Sequence, residues 1–390
     1  MEKIMRFIAK ETNGKSYDSY KYSFDSIGLP SIEYDDEHET NIQWKEKGET
    51  IKYNEYIKLK VMADRIHQTH EESILKYFLD GSRHVYKVDD ISYNKQVYPV
   101  VAGQVGVGCC CRIDKVIKPF SFYRKYVIVM PDKAYRDGWD DKAYFANITK
   151  KVNETEQLKR LGVQFDEIIP YKANKNGLNG TKLDDVAVSK VQDYMVEHEK
   201  IMVAELVKKN CLNQDSFLVK DGSLEYSDVS TARNEDLRSL QKIRNNYRFV
   251  IGVSKSFNPE SCKDYKGNAN SDYIANLPVF CRTPVARFKN PQFLGDNEFA
   301  VWYVRIRDRQ KSLTPFDGVI KVEKILMDDE IEDGVDSDTV DLISANLINE
   351  RNPTCYGSDK RWANHIYPIY LTETFIKSKY LSGNIFLSLF

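Results

Sequence analysis

Two short stretches place the same three residues at the end of an apolar run. "KYFLDGSRHVY" (Lys76–Tyr86) and "SFLVKDGSLEY" (Ser216–Tyr226) each run into Asp-Gly-Ser, at Asp80 and at Asp221. Asp-Gly is a common turn dipeptide, and the chain has it at Asp80, Asp137, Asp221, Asp317 and Asp333. Only Asp80 and Asp221 are followed by Ser and directly preceded by a strand-like run. A third acid stands out in "TKLDDVAVSKVQDYMVEHEKIMVAELVKKN". There Val188, Val191, Met195, Met202 and Leu206 recur at helical spacing, and Glu199 falls inside that apolar stripe. An unpaired carboxylate is expensive to bury, so something positive is expected opposite it. Three carboxylates that meet at one point repel unless a cation joins them, and hard oxygen donors select Mg2+ or Mn2+. Asp80, Glu199 and Asp221 are therefore the candidate metal ligands, in a site suited to activating water for phosphoryl displacement. Glycine after each Asp leaves room for the ion and a bound phosphate.

Further residues fit around that centre. Lys255 ends the apolar run "FVIGVSKSF", which is expected to neighbour the Asp221 strand. A lysine there can meet a phosphate or the charge that develops on it. In "VWYVRIRDR", Trp302, Val304 and Ile306 alternate with Tyr303, Arg305 and Arg307. Arg305 and Arg307 can hold a phosphate backbone while Tyr303 offers a stacking surface. An edge strand with solvated arginines satisfies the same pattern. Residues 233–311 hold 15 Lys/Arg against 8 Asp/Glu, whereas residues 323–341 hold nine acids and one lysine. A basic run suits a polyanionic substrate, although charge runs are more often solvated faces. "GQVGVG" (Gly103–Gly108) reads as a tightly packed or bulged strand, and "NGTK" lacks the spacing of a phosphate loop.

The elements that must position these groups follow from periodicity. "KYFLDGSRHVYKV", "QVYPVVAGQVGVGCCCRI" and "KYVIVMP" read as strands of an antiparallel meander. Residues 132–180 read as an exposed excursion. The long amphipathic helix, the strand "DSFLVKDGSL", a helix in "NEDLRSLQKIRNNY" and the strand "RFVIGVSKSF" follow. Strand–helix–strand units imply parallel neighbours, so the sheet is expected to be mixed. "EFAVWYVRIRD" and "GVIKVEKIL" are strands. "DSDTVDLISANLINERN" and "YPIYLTETFIKSKYL" are helices, the second with Pro368 in its first turn. "NIFLSLF" reads as a final strand. Before residue 70, "IQWKEKGETIKY" suggests a hairpin and "EYIKLKVMADRIHQTHEESIL" a helix.

Composition bounds the class. The chain has 390 residues, 42% hydrophobic, enough for a sizeable core, and a formal net charge of −1, so a nucleic-acid role must rest on local charge. Seven cysteines, three of them adjacent and none in CxxC spacing, argue against a disulfide framework and against a zinc site. "MEKIMRFIAKETNG" lacks the apolar core of a signal peptide, and no run approaches the ~20 apolar residues of a membrane helix. A reduced, cytoplasmic protein with no membrane segment is expected.

The order of motifs adds a family. An early "DGSR", a glutamate-bearing helix, "VKDGSL", "VIGVSKS" and a late "YPIYL" ahead of a helix together resemble the NurA nucleases, across residues 75–385. That resemblance implies an RNase H-like α/β core, a mixed β-sheet flanked by helices; the N-terminal extension over residues 1–70 and the insertion at 132–180 are elaborations outside that core and candidates for docking a motor partner. It implies a Mn2+- or Mg2+-dependent deoxyribonuclease that forms homodimers and works with a HerA-type hexameric ATPase, in DNA end processing or anti-phage defence. By position it gives Asp80 and Asp221 as strand ligands, Glu199 as the helical ligand and Lys255 as the basic residue. Family members often carry Ala-His after the YP motif, where this chain has Thr374 and Phe375. The histidine's part then falls to His365 or Glu373, with His365 the choice. Two other readings stay open: a catalytically silent DNA-clamp subunit of a motor complex, and an RNase H-like protein that handles RNA.

Overall fold

A computed structural model describes residues 4–16, 22–23, 43–45, 47–135, 141–173, 182–224, 244–264, 266–289, 298–308, 315–353 and 362–390. The expected helix in residues 234–247 lies mostly outside them. Three long strands come in succession after helix α1 (Lys60–Thr69): β1 (Leu75–Tyr93), β2 (Gln96–Ile113) and β3 (Val116–Pro131). The two connections are Asn94–Lys95 and Asp114–Lys115, with φ of 48° and 67°, and of 50° and 65°. Two consecutive left-handed residues make the turn that matches strand twist, so each pair of strands closes as a tight antiparallel hairpin.

Residues 132–180 are a correction to the sequence reading. Their described part, 132–135 and 141–173, includes a crossover, with helix α2 (Asp141–Asn153) leading to strand β4 (Glu167–Tyr171), which runs parallel to the end of β3. Phe145, Ile148, Val152, Leu158 and Phe165 are buried there, because a parallel neighbour can be reached only by a connection that packs back on the sheet. Helix α3 (Leu183–Lys208) then leads to β5 (Phe217–Asp221), parallel to β1, and β6 (Val250–Ser254) runs parallel to β5. The order β3-β2-β1-β5-β6, with β2 alone antiparallel to its neighbours' common direction, is that of an RNase H-like core. Strands β7 (Ala286–Lys289), β8 (Glu298–Arg305) and β9 (Val319–Ile325) extend the sheet beyond β6 in the order β6-β9-β8-β7, all antiparallel. Helices α4 (Ser337–Asn349) and α5 (Tyr367–Lys377) follow, with Pro368 in the first turn of α5.

Two helices cover opposite faces of the core, and glycines show which. A Cβ on Gly103 would lie 2.6 Å from the Val191 side chain of α3. Cβ atoms on Gly106 and Gly108 would lie 2.5 Å and 2.7 Å from Ile376 of α5. Odd and even positions of β2 point to opposite faces, so "GQVGVG" is a strand thinned on both sides for close helix packing. The apolar stripe of α3 is buried at Val191, Met195, Met202 and Leu206, with Glu199 buried among them.

Other expectations give way. "NIFLSLF" is a short helix at Gly383–Leu387, with Phe386 and Phe390 packed on Phe165, rather than a strand. Residues 43–45 pair with β7 at the far edge of the sheet instead of forming a local hairpin. The described part of residues 1–70 does not stand apart from the body. Residues 15–16 and 22–23 pair with β1. Glu49 takes both Nη atoms of the fully buried Arg282 at 3.0 and 2.8 Å and the Val285 N–H at 2.8 Å, while Asp341 of α4 takes Arg282 Nε at 2.5 Å. The six described cysteines are free, and among the described residues no helix is long and apolar enough to cross a membrane.

The Glu49 carboxylate satisfies a guanidinium that water cannot reach. Glu49→Ala is expected to lower unfolding stability by about 3 kcal/mol, because it strands half of a buried charge pair. Urea denaturation checks this; a loss under about 1 kcal/mol, the usual value of an exposed pair, refutes the anchoring role.

Candidate active site

The register of β1 and β5 pairs Leu79 with Lys220, so Asp80 and Asp221 are neighbours on adjacent parallel strands. Asp80 is buried and Asp221 half-buried. The two Asp-Gly-Ser sequences nevertheless do different things. Gly222 has φ +81° and turns the chain out of β5. Gly81 sits mid-strand, opposite Val107, and β1 continues to Tyr93. Its missing side chain makes room for Glu199, whose Oε1 lies 2.4 Å from where a Cβ would stand.

Alternation then decides which acids meet. Asp80 is paired with Gly108, whose open side faces α5. Gly81, one residue on, faces Glu199 of α3. Lys220 and Asp221 split in the same way. Lys220 Nζ lies 3.2 Å from Glu199 Oε2, whereas Asp221 Oδ2 lies 2.8 Å from Lys255 Nζ. Asp80, Asp221 and Lys255 thus gather under α5, and Glu199 is held on the far face by the cation expected opposite it. There a second pair, Lys321 and Glu323 at 2.6 Å, accompanies it, and Glu323 also accepts from Ser223 Oγ (2.8 Å) and Leu224 N (2.7 Å).

The third acid on the Asp80 face is Glu373 of α5. Its charge acts on Asp80 and on Lys255, and its carboxylate also pairs with Lys377 at 2.6 Å. Burial raises the Glu373 carboxyl, but Lys255 and Lys377 outweigh this and hold it below its usual range. Burial alone would depress the Lys255 ammonium; Asp221, Asp80 and Glu373 together hold it above its ordinary value. Burial first, then the Asp221 charge, pushes Asp80 well above the usual carboxylate range, against the pull of Lys255. Burial also raises Glu199, with Lys220 opposing it.

His365 is buried in the bend ahead of α5, where its backbone N–H donates to the Trp362 carbonyl (3.2 Å) and its carbonyl accepts from Asn352 (3.0 Å). Its neighbour Asn364 touches the cluster, donating from Nδ2 to the Lys255 carbonyl at 2.7 Å. Glu373 was visible in the sequence only as a substitute for a histidine. No local pattern marks its nearness to Asp80, because that depends on where α5 lands on the sheet.

The strand expected to contact DNA is interior, and this is a second correction. Arg305 is 1% exposed and donates to four backbone carbonyls, those of Leu277, Asp317, Ala275 and Pro315. Tyr303 is buried against Phe257. Arg307 is half-buried, donating to the Ala363 carbonyl at 3.0 Å with its guanidinium over the Trp362 ring. Strand β8 pairs with β9 along one edge and with β7 and then Arg282 along the other, and all eight of its residues are buried. Part of the basic run is paired with acids of the chain. Arg244 pairs with Asp328 at 2.7 Å, Arg248 with Asp329 at 2.9 Å and Arg287 with Glu298. Two of these three partners come from the acidic run at 323–341.

The donor set suits a hard divalent ion in its chemistry: three carboxyl groups, one of them also paired with Lys377, face one buried ammonium. It is not drawn in around one point. Among the described residues no group of three or more His, Cys, Asp or Glu could hold a metal ion as arranged, and Lys255 stands against Asp221. No family model matches the chain, and no curated protein matches it. Among solved structures, the chain is similar to the crystal structure of the NurA nuclease from Sulfolobus solfataricus. The TM-score is 0.42 and the identity 12%, over 85% of this chain and 90% of that one. An overlap that loose assigns neither family nor activity.

The raised Asp80 carboxyl has a consequence for stability. The folded protein holds that proton more tightly than the unfolded chain, whose Asp titrates near about 3.9. Stability therefore falls as pH rises above that value. Asp80→Asn removes the loss. Its gain over the wild type is expected to be slight near pH 4 and to grow toward pH 8, as read by urea denaturation across that range. A variant less stable than the wild type at pH 8 contradicts the sign.

Proposed function

We propose that the protein is a Mn2+- or Mg2+-dependent deoxyribonuclease that uses Asp80, Asp221 and Glu373. The observation that supports this best is the placement of Asp80 and Asp221 side by side on adjacent strands, on the face where α5 adds Glu373 and β6 ends in Lys255. A bound divalent ion would supply an activated water and charge neutralisation for phosphodiester hydrolysis. Asp80 and Asp221 would hold that ion from the sheet, and Glu373 from the helix. Lys255 neutralises Asp221 and stands where it can meet a phosphate oxygen. Glu199 braces the site from behind, keeping Lys220 and the Gly81 backbone in place.

The motif order "DGSR", "VKDGSL" and "VIGVSKS" supports the NurA-like assignment within this proposal. With it come a homodimer and a HerA-type hexameric ATPase as partner, in DNA end processing or phage defence. The lack of a phosphate-loop motif fits a chain whose motor is a separate protein. A cytoplasmic setting fits the six described cysteines, all of them free.

A catalytically silent DNA-clamp subunit is the second reading, and the 2.8 Å pair between Lys255 and Asp221 favours it, since the lysine already neutralises a ligand. Calorimetric titration with Mn2+ separates the two. The nuclease binds Mn2+ and loses that binding in Asp221→Asn, whereas the clamp shows no uptake. In a DNA-degradation assay with Mn2+, Asp80→Asn, Asp221→Asn and Glu373→Gln are each expected to slow cleavage at least about a hundredfold. Glu199→Gln is expected to keep most of the rate while losing stability. Full cleavage by both Asp variants sinks the mechanism.

A further inference from the structure

The lysines on the two faces of the sheet are held in different ways. On the α3 face, Lys220 Nζ donates to the Asp221 carbonyl at 2.7 Å and to the Ser223 carbonyl at 3.4 Å, and pairs with Glu199 at 3.2 Å. Two backbone acceptors and a buried carboxylate pin that ammonium. On the α5 face, Lys255 Nζ reaches one carboxylate, Asp221 Oδ2 at 2.8 Å, and among the described residues it meets no backbone carbonyl. What is fixed about Lys255 is its main chain. Buried Asn364 donates from Nδ2 to the Lys255 carbonyl at 2.7 Å and accepts the Gly318 N–H on Oδ1 at 2.6 Å. The end of β6 is therefore bracketed to the bend ahead of α5, while the lysine stem is a flexible four-carbon chain.

Asp221 is the carboxylate on which this bears. Glu373 has a lysine of its own, Lys377, but that cation is exposed and one helical turn away, where an ion pair is weak. Lys255 is buried, and Asp221 beside it is half-buried. Water screens their attraction poorly there. A dication that takes the Asp221 carboxylate meets the same ammonium as a like charge. The two cations cannot share Asp221 without repulsion, and only one of them is free to leave the protein.

We infer that Lys255 is a tethered competitor for the divalent ion at Asp221. It neutralises the carboxylate until the ion takes its place, and its ammonium then turns away on a fixed main chain. The inference rests on the nuclease reading and adds a regulation to it, since uptake of the ion requires displacing a lysine. Affinity for the ion is thereby set by Lys255 as well as by the three carboxyl groups.

Calorimetric titration of the full chain with Mn2+ tests this with no cleavage readout. Lys255→Met keeps the length of the stem and removes the charge, and is expected to bind Mn2+ at least about tenfold more tightly than the wild type. Lys255→Arg keeps the charge and is expected to show no such gain. A second measurement needs no variant. Acetylation of amines, read by mass spectrometry, reports how open each lysine is. Labelling of Lys255 in the wild type is expected to rise severalfold when Mn2+ is added, while Lys220 stays protected. Equal or weaker Mn2+ binding by folded Lys255→Met, or unchanged Lys255 labelling in a wild type that binds Mn2+, overturns the competition and leaves the nuclease reading standing. Absence of Mn2+ uptake by both the wild type and Lys255→Met overturns the nuclease reading, and this inference with it. If Lys255→Met does not fold, the wild-type labelling decides.

Discussion

A β-strand sends successive side chains to opposite faces, and in this protein that alternation sorts the buried charge. Between Asp80 and Gly81, and between Lys220 and Asp221, one step along the chain crosses the sheet. On one face lie Asp80, Asp221, Lys255 and Glu373, and on the other Glu199, Lys220, Lys321 and Glu323. Both sets sit within a few residues of the same strand ends. Each needs its own counter-charges, because charge pairs in a protein interior are weakly screened and costly to desolvate.

The two sets are balanced differently. On the α3 face the ion pairs match one to one, Glu199 with Lys220 and Glu323 with Lys321. On the α5 face Asp80, Asp221 and Glu373 share the buried Lys255, and Glu373 also pairs with the exposed Lys377, three acids to two lysines. A matched set is sufficient for a structural role. An unmatched one destabilises the fold and is maintained only by the packing around it, which is the usual condition of a functional site. The direction of the Asp80 shift expresses the same imbalance.

Helix α5 completes the unmatched face, and its approach depends on what β2 lacks. Side chains at Gly106 and Gly108 would overlap Ile376. Their absence lets α5 lie close to the sheet, which carries Glu373 toward Asp80 and Phe375 onto Phe122. Pro368 starts that helix and Asn364 ties the preceding bend to Lys255. The glycine-rich run is thus a packing surface for the helix that brings the third carboxylate.

Much of this was legible in the residues. The meander, the strand at Asp221, the long amphipathic helix and the mixed sheet follow from periodicity and turn chemistry, which are local. So does the oddity of Asp80, Asp221 and Glu199, since a charge in an apolar pattern is visible without a structure. Which of those acids share a face is not local. It depends on the β1–β5 register, where a shift of one residue exchanges the faces, and on which helix covers each side. The same holds for β8, whose alternating Tyr303, Arg305 and Arg307 read as a wet face until β9 and the Arg282 segment are seen on its two edges and four carbonyls around one guanidinium. The sequence determined that this chain would bury carboxylates at strand positions beside lysines. The tertiary structure alone decided that Glu373 rather than Glu199 joins Asp80 and Asp221, because side-chain direction is local while strand register and helix docking are set by the whole sheet.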